Sequence, residues 1–483
     1  MKNRQKWIGI LGGTLFILLN CCALFLEYEM VPFASLALVG LYLLVFKLDL
    51  LIYLLAFITP LSIPFANTQI NIGLSIPSEI IMILITALFF VRIFLDLKMD
   101  RKVLYHPITI AIFAYLGWVF LTCFTSEIPF VSFKFLLSKI WFIVSCYFVV
   151  VWFVNKDLSK LVKFMTCYMV GLAIVICIAT IKLAQIGIFT KEFHWSMSPF
   201  YNDHTAYGAA IALCIPLQIG FLFLPNSSKL TKLLYMAILC LLLVGLYFSY
   251  CRAAWLSLIV VILVFIVVKL RIKISWIVVA LGLFAFFFYN FSDQILYRME
   301  RNSQDSSNNI TKHIQSISNI STDASNVERL NRWVSAFGMI NERPLVGWGP
   351  GTYQFIYAAY QKPQYKTIIT TSFGDGGNAH SEFIGPTAET GFVGLATVLA
   401  VMITALYTGI VSYVRSKRKD LKIMSLAATL ALISYYIHGL MNNFLDTDKL
   451  SLPFWATVAI IMMVDLTRKE EIRGSNTNFL SNS

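Results

Sequence analysis

Apolar positions in this chain gather into long blocks with short polar breaks between them. The blocks lie near residues 7–26, 31–46, 50–65, 79–96, 107–124, 138–154, 164–187, 205–224, 233–250, 253–268, 274–290, 382–413, 423–440 and 450–466. Most match the roughly 17–25 residues that a helix needs to cross a bilayer's hydrocarbon core. The pattern predicts an all-α fold, a polytopic transmembrane helix bundle of about 12–14 spans. The lower count follows if the 31–65 or 233–268 region holds paired short helices or a re-entrant element.

One long polar stretch, from about Asn290 to His380, interrupts the series. Within it Leu330, Trp333, Phe337 and Ile340 recur at helical spacing, and Pro344 closes the pattern. This predicts an amphipathic helix over 327–343 with those four residues on its buried face. Asn302–Ser325, rich in Ser and Asn, predicts a mobile segment. The glycines after Pro344 predict a tight, irregular turn. The chain then divides into an N-terminal bundle (1–290), a loop (291–381), C-terminal spans (382–466) and a disordered tail (467–483).

Composition narrows the class. With 58% hydrophobic and 13% charged residues, the chain is not an ordinary soluble globular protein. Its net charge of +13 sits in short clusters between spans, which argues against nucleic acid and for topology marking. Lys47, Lys98/Arg101/Lys102, Lys156/Lys160/Lys163, Lys229/Lys232, Lys269/Arg271/Lys273, Arg415–Lys422 and Arg468/Lys469 fall in alternate connections. Both chain ends then lie inside, and the long loop lies outside with His204, Arg252 and the Asn442–Asp448 turn. The first block lacks a signal-peptide cleavage site and reads as a retained span. The nine cysteines cluster in or beside spans, which favours neither disulfides nor a Cys-based metal site.

A few polar residues stand out on the outer side. Arg252 lies between two apolar runs with almost no connection, as a ligand-site cation or as an arginine snorkelling to headgroups. Arg329 and Arg332 share a helix face, either to grip phosphate oxygens or to face solvent beside Glu328. His380, at the mouth of a span, suits a general base or a structural cap. Asp203 and His204 read equally as an acceptor-binding pair and as a helix start. Asp446 and Asp448 are spaced like a turn. No nucleotide-binding signature is present, so an outward-facing site would need an already activated substrate.

Taken together, these residues resemble the O-antigen ligase and polymerase superfamily of bacterial envelope enzymes. The resemblance rests on Arg329-x-x-x-Trp333, Pro344-Leu345-Val346-Gly347-Trp348-Gly349-Pro350-Gly351, the His380…Glu389-x-Gly391 pattern and Ser249-x-x-Arg252. Ser381 departs from it, since many members have Asn after the histidine. The resemblance implies a metal-independent, inverting glycosyltransferase of the GT-C type in the bacterial inner membrane, with its site facing the periplasm and no cofactor. Its donor would be a glycan on undecaprenyl pyrophosphate. Arg252 and Arg329 would bind the pyrophosphate, with Arg332 in support, and His380 would activate the acceptor hydroxyl. Asp203, His204 and Glu389 would stand as supporting residues. The leading expectation is ligation to lipid A-core. Polymerisation onto a second lipid-linked glycan stands beside it, then protein O-glycosylation; a lipid-linked glycan transporter is the reading from another class.

Overall fold

A computed structural model describes residues 39–67, 72–95, 99–187, 195–273, 275, 282, 324–363 and 376–481, with single gaps at 41, 156 and 226. The blocks predicted at 7–26 and 274–290, most of 31–46 and nearly all of Asn302–Ser325 lie outside the described residues. The chain forms two units, Met1–Leu55 and Ala56–Ser483. The first is described over 39–55 and is helical there apart from Lys47; the helix Leu48–Ile58 (α1) runs across the boundary.

The second unit begins with a correction. Residues 50–65 were a candidate span in a region also open to short helices or a re-entrant element, and the helical chain ends at Leu61 and enters a hairpin instead of completing the span. Pro60 and Pro64 account for this, since neither offers an N–H to continue the helix. Strand β1 (Ile63–Asn67) pairs antiparallel with β2 (Ile72–Ile76), Ile63 opposite Ile76.

Among the described residues, ten helices long and apolar enough to span a membrane follow. They are α2 (Ser78–Leu95), α3 (Pro107–Phe124), α4 (Pro129–Val154), α5 (Leu158–Ile186), α6 (His204–Leu222), α7 (Lys229–Phe248) and α8 (Arg252–Leu270), then, after the loop helix α9 (Ala324–Glu342), α10 (Ile384–Arg415), α11 (Lys419–Gly439) and α12 (Asp448–Ser481). Helix α12 continues across the polar stretch from Ser475, where the composition predicts an irregular tail. Side-chain caps set several starts: Asp157 accepts from Ser159 N, Asp203 from Thr205 N and Ala206 N, and Ser228 from Thr231 N.

Burial orders the bundle. The apolar stretch of α12 is 89% buried and that of α6 78%, against 17% for α8, so α12 and α6 form the centre. Close approach between spans uses small residues. A Cβ on Gly220 would meet the Ala427 Cβ at 2.4 Å, which brings α6 and α11 together.

The two ends of the bundle sort as the charge pattern predicts. At one, Lys102 pairs with Glu470 at 2.8 Å, Arg418 with Glu471 at 2.6 Å, and Asp465 with Arg468 at 2.6 Å. At the other, Glu127 pairs with Arg343 at 2.9 Å, Ser62 Oγ donates to Asp448 Oδ2 at 2.7 Å, and Asn378 Nδ2 donates to Asn443 O at 3.1 Å. Apart from Ser62, which lies in the block expected as a span at 50–65, each of these groups comes from a connection predicted to face outward.

Candidate active site

The loop helix α9 corrects the periodicity reading. Its buried stripe is Glu328, Asn331, Arg332, Ser335, Ala336, Met339 and Ile340, so of the four expected core residues Ile340 alone is in it. Phe337 is half exposed. The stripe is polar in its first two turns and apolar in its last two. Part of this inward polar face is satisfied: Arg332 Nε pairs with Glu328 at 2.8 Å and Ser335 Oγ donates to the main-chain Asn331 O at 2.8 Å, while the side-chain amide of Asn331 has no partner among the described residues. The apolar end packs with Tyr353, Tyr357, Ala379 and Ala388.

The glycine-rich turn after Pro344 locks onto a break in α10. Gly391 leaves helical geometry at φ 72° and ψ −177°, freeing main-chain groups on either side of it. Trp348 N donates to Ala388 O at 3.1 Å, Gly349 N to Glu389 O at 2.8 Å, and Phe392 N to Pro344 O at 2.8 Å. The approach demands glycine on both partners: a Cβ on Gly347 would lie 2.3 Å from the Glu389 carbonyl carbon, and one on Gly391 2.0 Å from Leu345 O. The Glu389 carboxylate accepts from Tyr353 N at 3.1 Å, so it anchors the turn.

This clamp presents the segment that carries His380. Its backbone is left-handed at φ 49°, held by its own N–H donating to Asn378 Oδ1 at 3.0 Å. Arg332 Nη1 donates to Asn378 O at 3.1 Å, and its guanidinium stacks 5.1 Å from the Tyr357 ring centre. Two residues on, Glu382 Oε1 accepts from Tyr435 OH at 2.5 Å, Phe444 N at 2.8 Å and Leu445 N at 2.9 Å. Burial pushes the Glu382 carboxyl above its usual range, with Asp446 adding to the shift.

Electrostatics ties the separate pieces together. Burial, then the charges of Arg332 and Arg329, push the His380 pKa from 6.5 down to about 3, with Asp203 opposing. The imidazole is therefore neutral at pH 7 and able to accept a proton. Arg329 and Asp203 also act on Cys251 and on His438, the last-turn histidine of α11. His438 Nε2 lies 3.5 Å from Cys251 Sγ, the residue directly before Arg252. Burial pushes the Cys251 thiol up to about 11, so it is a protonated neighbour and not a nucleophile.

The predicted residues thus divide. His380, Arg329, Arg332 and Asp203 share one electrostatic neighbourhood. Arg252 is the partly buried first residue of α8, directly after Cys251 in the chain, and is not among the groups that act on His380. Asp203 caps α6, as the helix-start reading expects, and His204 is the first residue of that helix. Glu389 serves the clamp. Asp446 and Asp448 separate: Asp446 joins Lys139 of α4, while Asp448 accepts from Ser62 and Ser78 at the hairpin. Sequence reasoning passed over Glu382, His438 and Lys139. The signal was available for Lys139, a charged residue well inside an apolar block.

Beside the His380 segment lies a cavity of about 1190 Å³. Its walls include Gly377, Asn378, Ala379 and Glu382, and none of Arg252, Arg329, Arg332 or His380.

The fold is that of a multi-pass helical membrane protein, and the candidate site residues lie at one end of the bundle. The family model for O-Antigen ligase matches residues 237–399, from α7 through the loop into α10. Over these residues, about a third of its length, the chain is similar to the O-antigen ligase family. No curated protein matches the chain.

Proposed function

We propose that the protein transfers a glycan from undecaprenyl pyrophosphate to an acceptor hydroxyl, at the periplasmic face of a bacterial inner membrane. The observation that carries this reading is a neutral imidazole held beside fixed guanidinium groups at the mouth of a span. His380 takes the proton of the acceptor hydroxyl as its oxygen attacks the anomeric carbon. The carbon–oxygen bond to the pyrophosphate breaks on the opposite face, and the electron pair leaves with the diphosphate. Inversion at that carbon follows from the in-line geometry.

Arg329 and Arg252 stabilise the charge that develops on the leaving group, a task for permanent cations in a partly desolvated site. Arg332 is engaged by Glu328 and Asn378, so we assign it to holding the His380 segment. A bound diphosphate adds negative charge beside His380, which raises its proton affinity at the moment a base is needed. Lipid A-core is the favoured acceptor. The experiment is purified protein in bilayer nanodiscs with a lipid-pyrophosphate glycan and either lipid A-core or a second lipid-linked repeat unit. Product on lipid A-core supports ligation, product on the repeat unit makes the protein a polymerase, and no product with either removes the reading.

A further inference from the structure

We propose that Lys139, a charged residue inside the span α4, is a positioning residue for His380, acting through the turn between α11 and α12 (residues 440–447). This role rests on the glycosyl-transfer reading above, in which His380 is the base. The backbone at His380 is left-handed, at φ 49°, on a residue with a Cβ. Such a conformation persists only where its surroundings hold it. Here the two flanking residues supply the hold. Asn378 Nδ2 donates to Asn443 O at 3.1 Å, and Glu382 N donates to Gly439 O at 2.8 Å. The Glu382 carboxylate then accepts from Phe444 N at 2.8 Å and Leu445 N at 2.9 Å. Hydrogen bonds on both sides of His380 thus tie its segment to the end of α11 and the turn that follows, so the imidazole stands where the turn stands.

Lys139 fixes the same turn from α4. Its Nζ donates to Leu445 O at 3.2 Å and pairs with Asp446. Leu445, whose N–H binds Glu382, therefore has its carbonyl held by Lys139, with Ser451 Oγ donating to the same oxygen at 2.7 Å. The cation also acts on Glu382 directly, opposing the burial and the Asp446 charge that push this carboxyl up. An ionised carboxylate is the stronger acceptor for the two main-chain amides it binds. Lys139 is 6% exposed and lies about 15 Å along the helix from Pro129. An ammonium in a span is costly, and an apolar side chain would serve packing alone at least as well. What the ammonium adds is a fixed register between α4 and the turn that holds the base.

The test uses the full-length protein in nanodiscs and two variants. Lys139→Met/Asp446→Asn removes the charge pair as a unit, and Asp446→Asn keeps an oxygen acceptor for Lys139. Transfer kinetics, thermal unfolding and hydrogen–deuterium exchange are measured on each. In the double variant kcat should fall about 10–100-fold through lost alignment, with donor and acceptor KM each within about twofold of wild type. Its melting temperature should stay near wild type, because a buried ion pair replaced as a unit costs little. Exchange should quicken in peptides covering 378–385 and 440–447 and stay as in wild type in α9. Asp446→Asn should show the same changes at smaller size, and it carries the test if the double variant fails to fold. Wild-type kcat, a raised KM for either substrate, or unchanged exchange at 378–385 overturns the proposal. So does a melting temperature that falls in step with kcat while exchange quickens throughout the bundle, the mark of an ordinary structural bridge. If wild-type protein transfers nothing yet exchange at 378–385 quickens in the variants, the glycosyl-transfer reading fails while Lys139 remains the residue that orders this segment.

Discussion

Arg332 and Asn378 are joined by a hydrogen bond of 3.1 Å from guanidinium to carbonyl, and through it the loop helix holds the segment that carries His380. Arg332 also neutralises Glu328, which is 4% exposed. Removing one member of such a pair leaves the other charge buried, at a cost of about 3–5 kcal/mol. Arg332→Ala should therefore lower the melting temperature and reduce kcat, while Glu328→Gln/Arg332→Met should recover much of the stability and little of the activity. Thermal unfolding in detergent alongside turnover measures both. A variant with normal stability and a raised donor KM would show that Arg332 contacts the donor instead.

His380→Ala should abolish transfer, with a loss of about 10²–10⁴ or more in kcat, while membrane insertion and melting temperature stay near wild type. The side chain makes room for a base without being part of the clamp, whose bonds run through Asn378, Glu382 and Glu389. Wild-type rates in this variant would remove the base assignment.

The pH profile follows from the same neighbourhood. In the free protein His380 stays neutral down to about pH 3, so it should impose no fall in kcat/KM between pH 7 and pH 5. Arg329→Gln removes one of the cations that lower its pKa, so the acid limb should move upward toward the ordinary histidine value. Any limb owed to Glu382, whose carboxyl is pushed up, disappears in Glu382→Gln. A limb near 6.5 in wild type, unmoved in Arg329→Gln, would place the imidazole outside the field of the cations.

Much of this architecture was legible in the chain. Block length suffices for the ten spans found among the described residues, because a bilayer leaves backbone polar groups no other partners. The turn Gly347–Gly351 and its closeness to α10 were partly legible, since its glycines announce strained backbone. The burial of α9 was not. Periodicity assigns the inward face to Leu330, Trp333 and Phe337, yet the inward face carries Glu328, Asn331 and Arg332. Hydropathy favours an apolar face unless the polar one has its partners, and those partners, Asn378 and Tyr357, lie far along the chain. His438 was hidden for a similar reason: its significance is contact with Cys251, 187 residues away in sequence.

Arg252→Lys and Arg329→Lys test the donor site. Both keep a positive charge and lose the planar pair of donors that a diphosphate engages. Each should raise the donor KM several-fold and lower kcat further, leaving acceptor KM nearly unchanged. The corresponding alanine variants should be worse by a further tenfold or more. Equal donor binding in all four, measured by competition with a labelled polyprenyl pyrophosphate, would dissociate these residues from the leaving group.

The break at Gly391 supports a final prediction, because it separates the clamp from the chemistry. Glu389 accepts a hydrogen bond from Tyr353 N, and leaving a buried donor unsatisfied costs about 1–3 kcal/mol. Glu389→Gln keeps an oxygen acceptor in place, so it should be nearly as stable as wild type and retain transfer. Glu389→Ala should lose stability and activity together. Gly391→Ala should be the most damaging of the three, since its Cβ would sit 2.0 Å from Leu345 O on a backbone at φ 72°. Melting temperature and turnover should fall in the same order across this series. If Glu389→Gln instead abolished turnover while melting like wild type, the carboxylate would belong to the reaction itself.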